Sequence, residues 1–171
     1  MSGIIDYLDL NNTIISQLNI YNTTTASYDL SASLTTRIPT DNITSKDLDT
    51  YPLKQTQTPY LSVRLTGDTE ELVEFGASGG ARTKYDVDIS GQIICSTSQL
   101  LQDANDDETW RLIRNVKSVI KETVTLGNYN TGGLKVGIFY STGCTLKNII
   151  GEDSYYNRIG VVDFTIKAFS I

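Results

Sequence analysis

The stretch RTKYDVDISGQIICS, residues 82–96, decides the fold. Tyr85, Val87, Ile89, Ile93 and Cys95 keep to every second position, and Lys84, Asp86, Asp88, Ser90 and Gln92 stand between them. A period of two belongs to a strand with one face on a core and the other in water. The wet face carries Asp86 and Asp88, roughly 7 Å apart along the backbone. Such a pair suits a metal site, a catalytic carboxylate pair or a surface that another protein covers.

Similar alternation surrounds this strand. YLSVRLTG sets Leu61, Val63 and Leu65 against Ser62, Arg64 and Thr66, and EELVEFG adds Val73 and Phe75 as a further strand. Near the end of the chain LKVGIFYS alternates Leu134, Val136, Ile138 and Tyr140, while GVVDFTIKAFS turns Val162, Phe164, Ile166 and Ala168 one way. Two stretches have a helical period instead. Over residues 4–21 Ile4, Tyr7, Leu8, Ile14, Ile15, Leu18 and Tyr21 recur at three- and four-residue steps. Over residues 107–126 Ile113, Val116, Val119, Ile120 and Val124 share one side, with Trp110 at its margin and Arg111, Arg114, Lys117 and Lys121 opposite. Asp106 or Asp107 is the expected N-cap, Glu108 suits the first turn and Gly127 marks the stop. Residues 22–58, rich in Thr, Ser, Asn and Asp, read as a long polar loop with a short strand at YDLSASL. The pattern predicts one α+β domain over residues 1–171, a mainly antiparallel sheet packed against two helices.

Composition narrows the chemistry. The 171 residues include 20 acids, 14 bases and no histidine, a net charge of −6. That balance disfavours a dedicated nucleic-acid binder, which needs clustered cations for phosphate. Lack of histidine removes the commonest general base and zinc ligand. Cys95 and Cys144 lie in apolar runs and read as small core residues in a reducing compartment. The opening MSGIIDYLDLNN has no basic region and only broken apolar stretches, so the expectation is a soluble chain with no leader and no membrane span.

Three stretches imitate binding motifs. GASGGAR, residues 76–82, resembles a phosphate cradle but lacks the Gly-Lys-Ser/Thr that opens a helix, and a strand follows it. It reads instead as a hairpin tip whose small residues let another chain approach. DANDDETWRLIR, residues 103–114, has the first three acids of a calcium loop but Glu108 where glycine belongs and Arg114 where glutamate belongs. Asp86 and Asp88, even with Glu74, have no convergent third group in a recognisable motif. The expectation is therefore no enzyme, no cofactor and no metal, with Asp86 and Asp88 facing another protein.

From about Pro59 onward, the sequence PYLSVRLTGDTEELVEFG, then RTKYDVDISGQIICS, the single helix DDETWRLIRNVKSVIKETVTL and the closing GVVDFTIKAFS resembles the tail terminator proteins of long-tailed bacteriophages. Residues 22–58 have no counterpart in that resemblance. It implies a structural virion protein of the neck, assembled in the host cytoplasm as a hexameric ring on the head-proximal end of the tail. Its implied partners are its own copies, the tail tube protein and the head-side connector or stopper. DNA would pass through the lumen without specific binding. Candidate interface residues are Gly76, Ser78, Gly79, Gly80 and Arg82 of the hairpin tip, Asp86 and Asp88 of the strand, and Arg114 and Lys121 of the helix. Another neck ring such as a head-completion or stopper protein, a tail tube subunit and a small cytoplasmic binding module remain as alternatives.

Overall fold

In a computed structural model describing residues 5–46, 57–74, 84–99, 101–131, 133–148 and 156–170, the alternating stretches become four long strands. The elements run α1 (Tyr7–Ile20), a 3-10 turn (Thr40–Asn42), β1 (Ile43–Thr44), β2 (Tyr60–Glu74), β3 (Lys84–Gln99), α2 (Gln102–Glu122), β4 (Asn130–Thr131), β5 (Leu134–Asn148) and β6 (Tyr156–Ser170). They form one sheet in the order β1-β2-β3-β6-β5-β4, curled into a half-barrel. Every pairing is antiparallel except β1 on β2, so the sheet is mixed and the fold is α+β.

β6 lies between β3 and β5, and its sequence pattern is obeyed throughout. Val162, Phe164, Ile166 and Ala168 are all buried on the inner face, opposite Ile93, Gly91, Ile89 and Val87 of β3. β5 departs from the expected pattern. A bulge between Val136 and Ile138 inserts one residue, so Phe139 turns inward and Ile138 is 40% exposed. The period of two makes this unavoidable, because one extra residue exchanges the faces of everything after it. Phe139 then meets Phe164 edge to face, ring centres 5.1 Å apart. The stretch expected as two strands, YLSVRLTG and EELVEFG, is the single strand β2.

Both helices pack on the inner face. α2 begins at Gln102, earlier than its apolar period suggests, and Leu101 is its N-cap with no side-chain bond. Asp106 lies inside the helix and accepts both Nε and Nη2 of Arg158 at 2.6 and 2.7 Å, tying α2 to the start of β6. The buried stripe is Leu112, Ile113, Val116, Val119 and Ile120, extended upstream by Asn105, Glu108 and Thr109, whereas Val124 is exposed beyond the helix end. The helix stops at Glu122, and Leu126, Gly127 and Asn128 carry the chain away with positive φ. Gly160 permits the closest helix-sheet approach: a Cβ there would stand 2.5 Å from Ile113 Cδ1.

α1 is capped by Asp6, whose carboxylate accepts the Asp9 N–H at 3.0 Å. Its buried side is Leu10, Asn11, Ile14 and Leu18, and Leu8, expected in the stripe, is 69% exposed. Asn11 explains the shift, since its amide donates to the Val63 carbonyl of β2 at 3.2 Å and turns that side of the helix inward. Cys95 is buried, and burial pushes its thiol well above the ordinary range. Cys144 lies on the far side of β6; two strand spacings, about 10 Å, exceed the reach of a disulfide. Both cysteines are free.

Residues 22–46 fold back on the body as ordered turns. No strand forms at YDLSASL, because Asp29 closes the chain on itself by accepting the Ser31 N–H at 3.0 Å. Leu30 and Ile38 are buried, and Asn115 of α2 donates to the carbonyls of Leu30 and Ala32 at 3.0 and 2.8 Å. Arg37 grips Asp29 through both terminal nitrogens, at 3.0 and 2.6 Å, and this bond holds the carboxyl below its ordinary range.

Two measurements test this account. Ile113→Ala, judged by denaturant unfolding, should cost about 2–5 kcal/mol, whereas Arg114→Glu on the exposed side should leave stability within about 0.5 kcal/mol. A depressed carboxylate stabilises the fold above its unfolded pKa and loses that contribution as pH falls through the folded value. The deficit of Arg37→Ala should therefore be widest near neutrality and close in acid; a gap independent of pH would remove the role given to this pair.

Candidate assembly interface

A strand of 15 residues is about 50 Å long, more than two helices need to cover. The surplus falls at one end. From Thr66 to Glu71 every residue of β2 is exposed, so both faces of the strand are wet there. The register sets Glu71 directly opposite Asp86 and Thr69 opposite Asp88, on the outer face away from the helices. Asp68 and Glu70 lie across from Ile89 and Val87 on the other face. Asp68 accepts the hydroxyl of Tyr7 at 2.6 Å, and the phenol is raised by burial and by that bond.

Asp86 and Asp88 are both exposed, as expected of a surface that meets a partner. Asp88 has a cation nearer than another subunit: Lys167 of β6 stands 3.6 Å away, with both side chains about half exposed. An exposed pair of this geometry contributes about 0–1 kcal/mol. Further along the outer face Arg64 donates to Gln92 at 3.4 Å and Gln92 to Asp163 at 2.9 Å, a polar ladder across β2, β3 and β6. Among the described residues no group of three metal-ligating side chains comes together.

Arg114 and Lys121 lie on the solvent side of α2, far from Asp86 and Asp88 in the fold's layering, since the helix covers the inner face and the two acids occupy the outer one. The sites therefore do not converge. Gly76, Ser78, Gly79, Gly80 and Arg82 lie outside the described residues. Sequence reasoning passed over Glu70 and Glu71, although the run DTEE was visible as a strand with charge at consecutive positions. It also placed Glu108 in a helix first turn, whereas the structure buries it.

Glu108 Oε1 accepts the Thr35 N–H at 2.7 Å, and Oε2 lies 3.6 Å from Arg111 Nη1. Around it is a polar cleft of 70 Å³ lined by Thr35, Thr58, Thr97, Ser98 and Gln99. Thr97 is satisfied by Asn105 and Thr109 at 2.7 and 2.6 Å. Ser98 Oγ and Glu108 Oε2 find no hydrogen-bond partner in the fold. The cleft suits one or two waters, about 30 Å³ each, and its main consequence is structural, joining the 22–46 segment to α2.

No helix among the described residues is long and apolar enough to cross a membrane. In comparison with known proteins, no family model and no curated sequence matches the chain.

Glu108→Ala should cost about 1–3 kcal/mol, the penalty of orphaning a buried N–H, and should raise amide exchange at Thr35 before it affects the strands. Asp86→Asn with Asp88→Asn should leave the melting temperature nearly unchanged. Calorimetric titration of the parent with calcium, magnesium or manganese should show no saturable heat; binding that vanishes in the double variant would restore the metal reading.

Proposed function

We propose that the chain is a structural subunit of a bacteriophage neck, a tail terminator that assembles as a ring on the head-proximal end of the tail. The observation that carries this reading is the surplus of strand: the end of β2, Thr66 to Glu71, is exposed on both faces and covers nothing in its own chain. A strand end that buries nothing at home is suited to a neighbour. The order α1, β2, β3, α2, β5, β6 also follows the order of stretches on which the resemblance to tail terminators rests. In this role β2 is largely an open sheet edge, since β1 covers only Leu61 and Ser62. Repeated head-to-tail contacts close a ring when the rotation between subunits allows it.

Electron microscopy of the purified protein, alone and mixed with tail tubes lacking their terminator, tests the proposal. Closed rings of one diameter that cap one tube end are expected. Open-ended polymers would make the chain a tube subunit, and monomers that leave tubes uncapped would end the assembly reading altogether.

A further inference from the structure

α2 has a second face that its own chain leaves unpartnered. At about 100° per residue, Trp110, Arg111, Arg114, Lys117 and Lys121 fall within about 120° of the helix circumference, on the side opposite the buried stripe. Residues 109–121 contain these four cations and no acid. Arg111 reaches Glu108, but Arg114, Lys117 and Lys121 meet no carboxylate within ion-pair distance among the described residues. Trp110 is 48% exposed in their midst. An exposed tryptophan ringed by arginine and lysine is the composition of an interface anchor, and it is unexpected on a chain whose net charge is −6.

The acids that would complement it are on the opposite side of the molecule. Glu71 and Asp86 stand directly across from each other on β2 and β3, with Asp88 two residues on. Like charges in direct cross-strand register repel, and the isolated chain gains nothing in return. Residues 65–75 contain no lysine or arginine to relieve them. Because α2 covers the inner face of the sheet and these acids lie on the outer face, one chain cannot bring its two patches together.

We infer that the basic face of α2 is the docking site for the acidic outer face of the β2-β3 end of a second copy of this chain. The inference rests on the ring reading above and specifies which surfaces meet. Two different patches on each subunit make the contact head-to-tail, the kind that closes a ring. Trp110 supplies apolar area at its centre, and the cations supply register and encounter rate. The occupant is a protein surface with carboxylates fixed on two adjacent strands, and the cationic row along one helix face offers them several partners.

Sedimentation velocity at low and raised salt tests this with charge reversal. Arg114→Glu with Lys121→Glu, or Glu71→Lys with Asp86→Lys, should each weaken association at low salt roughly tenfold or more, and all four changes in one chain should restore it. Neutral variants guard against misfolding. A chain with Arg114→Gln and Lys121→Gln, mixed with one carrying Glu71→Gln and Asp86→Gln, keeps one good junction and should stop at dimers. Circular dichroism should show each variant folded. Rings that persist unchanged in both reversals would overturn the inference and leave the ring reading standing. A parent that sediments as a monomer and leaves tail tubes uncapped would end both. Loss of single-stranded oligonucleotide binding in the helix variants, with assembly intact, would reassign the face to nucleic acid and overturn the inference as well.

Discussion

The contact between Ile113 and the backbone of β6 at Gly160 sets the spacing of the whole molecule. With no Cβ at Gly160, the isoleucine side chain rests against the strand itself, and Thr109 fits beside it. This approach brings Leu112, Val116 and Ile120 down onto the inner rows of the sheet. It also fixes the start of α2, where Asp106 meets Arg158 and Thr97 meets Asn105 and Thr109. Helix and sheet are therefore joined by close packing in the middle and by satisfied polar groups at one end. Packing density leaves no room for a different angle between them.

That rigid unit is what the less regular parts attach to. Residues 22–46 have few apolar side chains, and they are held by Leu30 and Ile38 in the core and by Asn115 and Glu108 of α2. α1 reaches across to the turn after α2, where the Tyr129 hydroxyl donates to Asp9 at 2.8 Å. Burial and that carboxylate both raise the phenol, so the bond persists through the physiological range. Each of these ties uses a polar group whose only alternative would be burial without a partner, which is why each is specific.

What remains outside the unit is surface with uncompensated charge: strand ends with acids in opposition and a helix face with cations around a tryptophan. A stable isolated subunit would gain by pairing these within one chain. The layering forbids it, because helix and acids occupy opposite faces of one sheet. The assembly reading rests on that separation together with the order of elements.

The sequence alone determined the class of the fold and the inner row of β6, because Val162, Phe164, Ile166 and Ala168 face a core whichever neighbours they meet. It also made Asp86, Asp88, Arg114 and Lys121 recognisable as exposed charge, since their positions in the strand and helix periods leave no other choice. Tertiary structure decided the rest. Bulges reversed the faces of β5, and a period of two carries no sign of where a residue is inserted. Asn11 and Glu108 went inside because backbone groups of Val63 and Thr35, distant in sequence, required partners there. Glu71 came to oppose Asp86 through strand register, a quantity set by pairing across the hairpin and invisible in either strand read by itself.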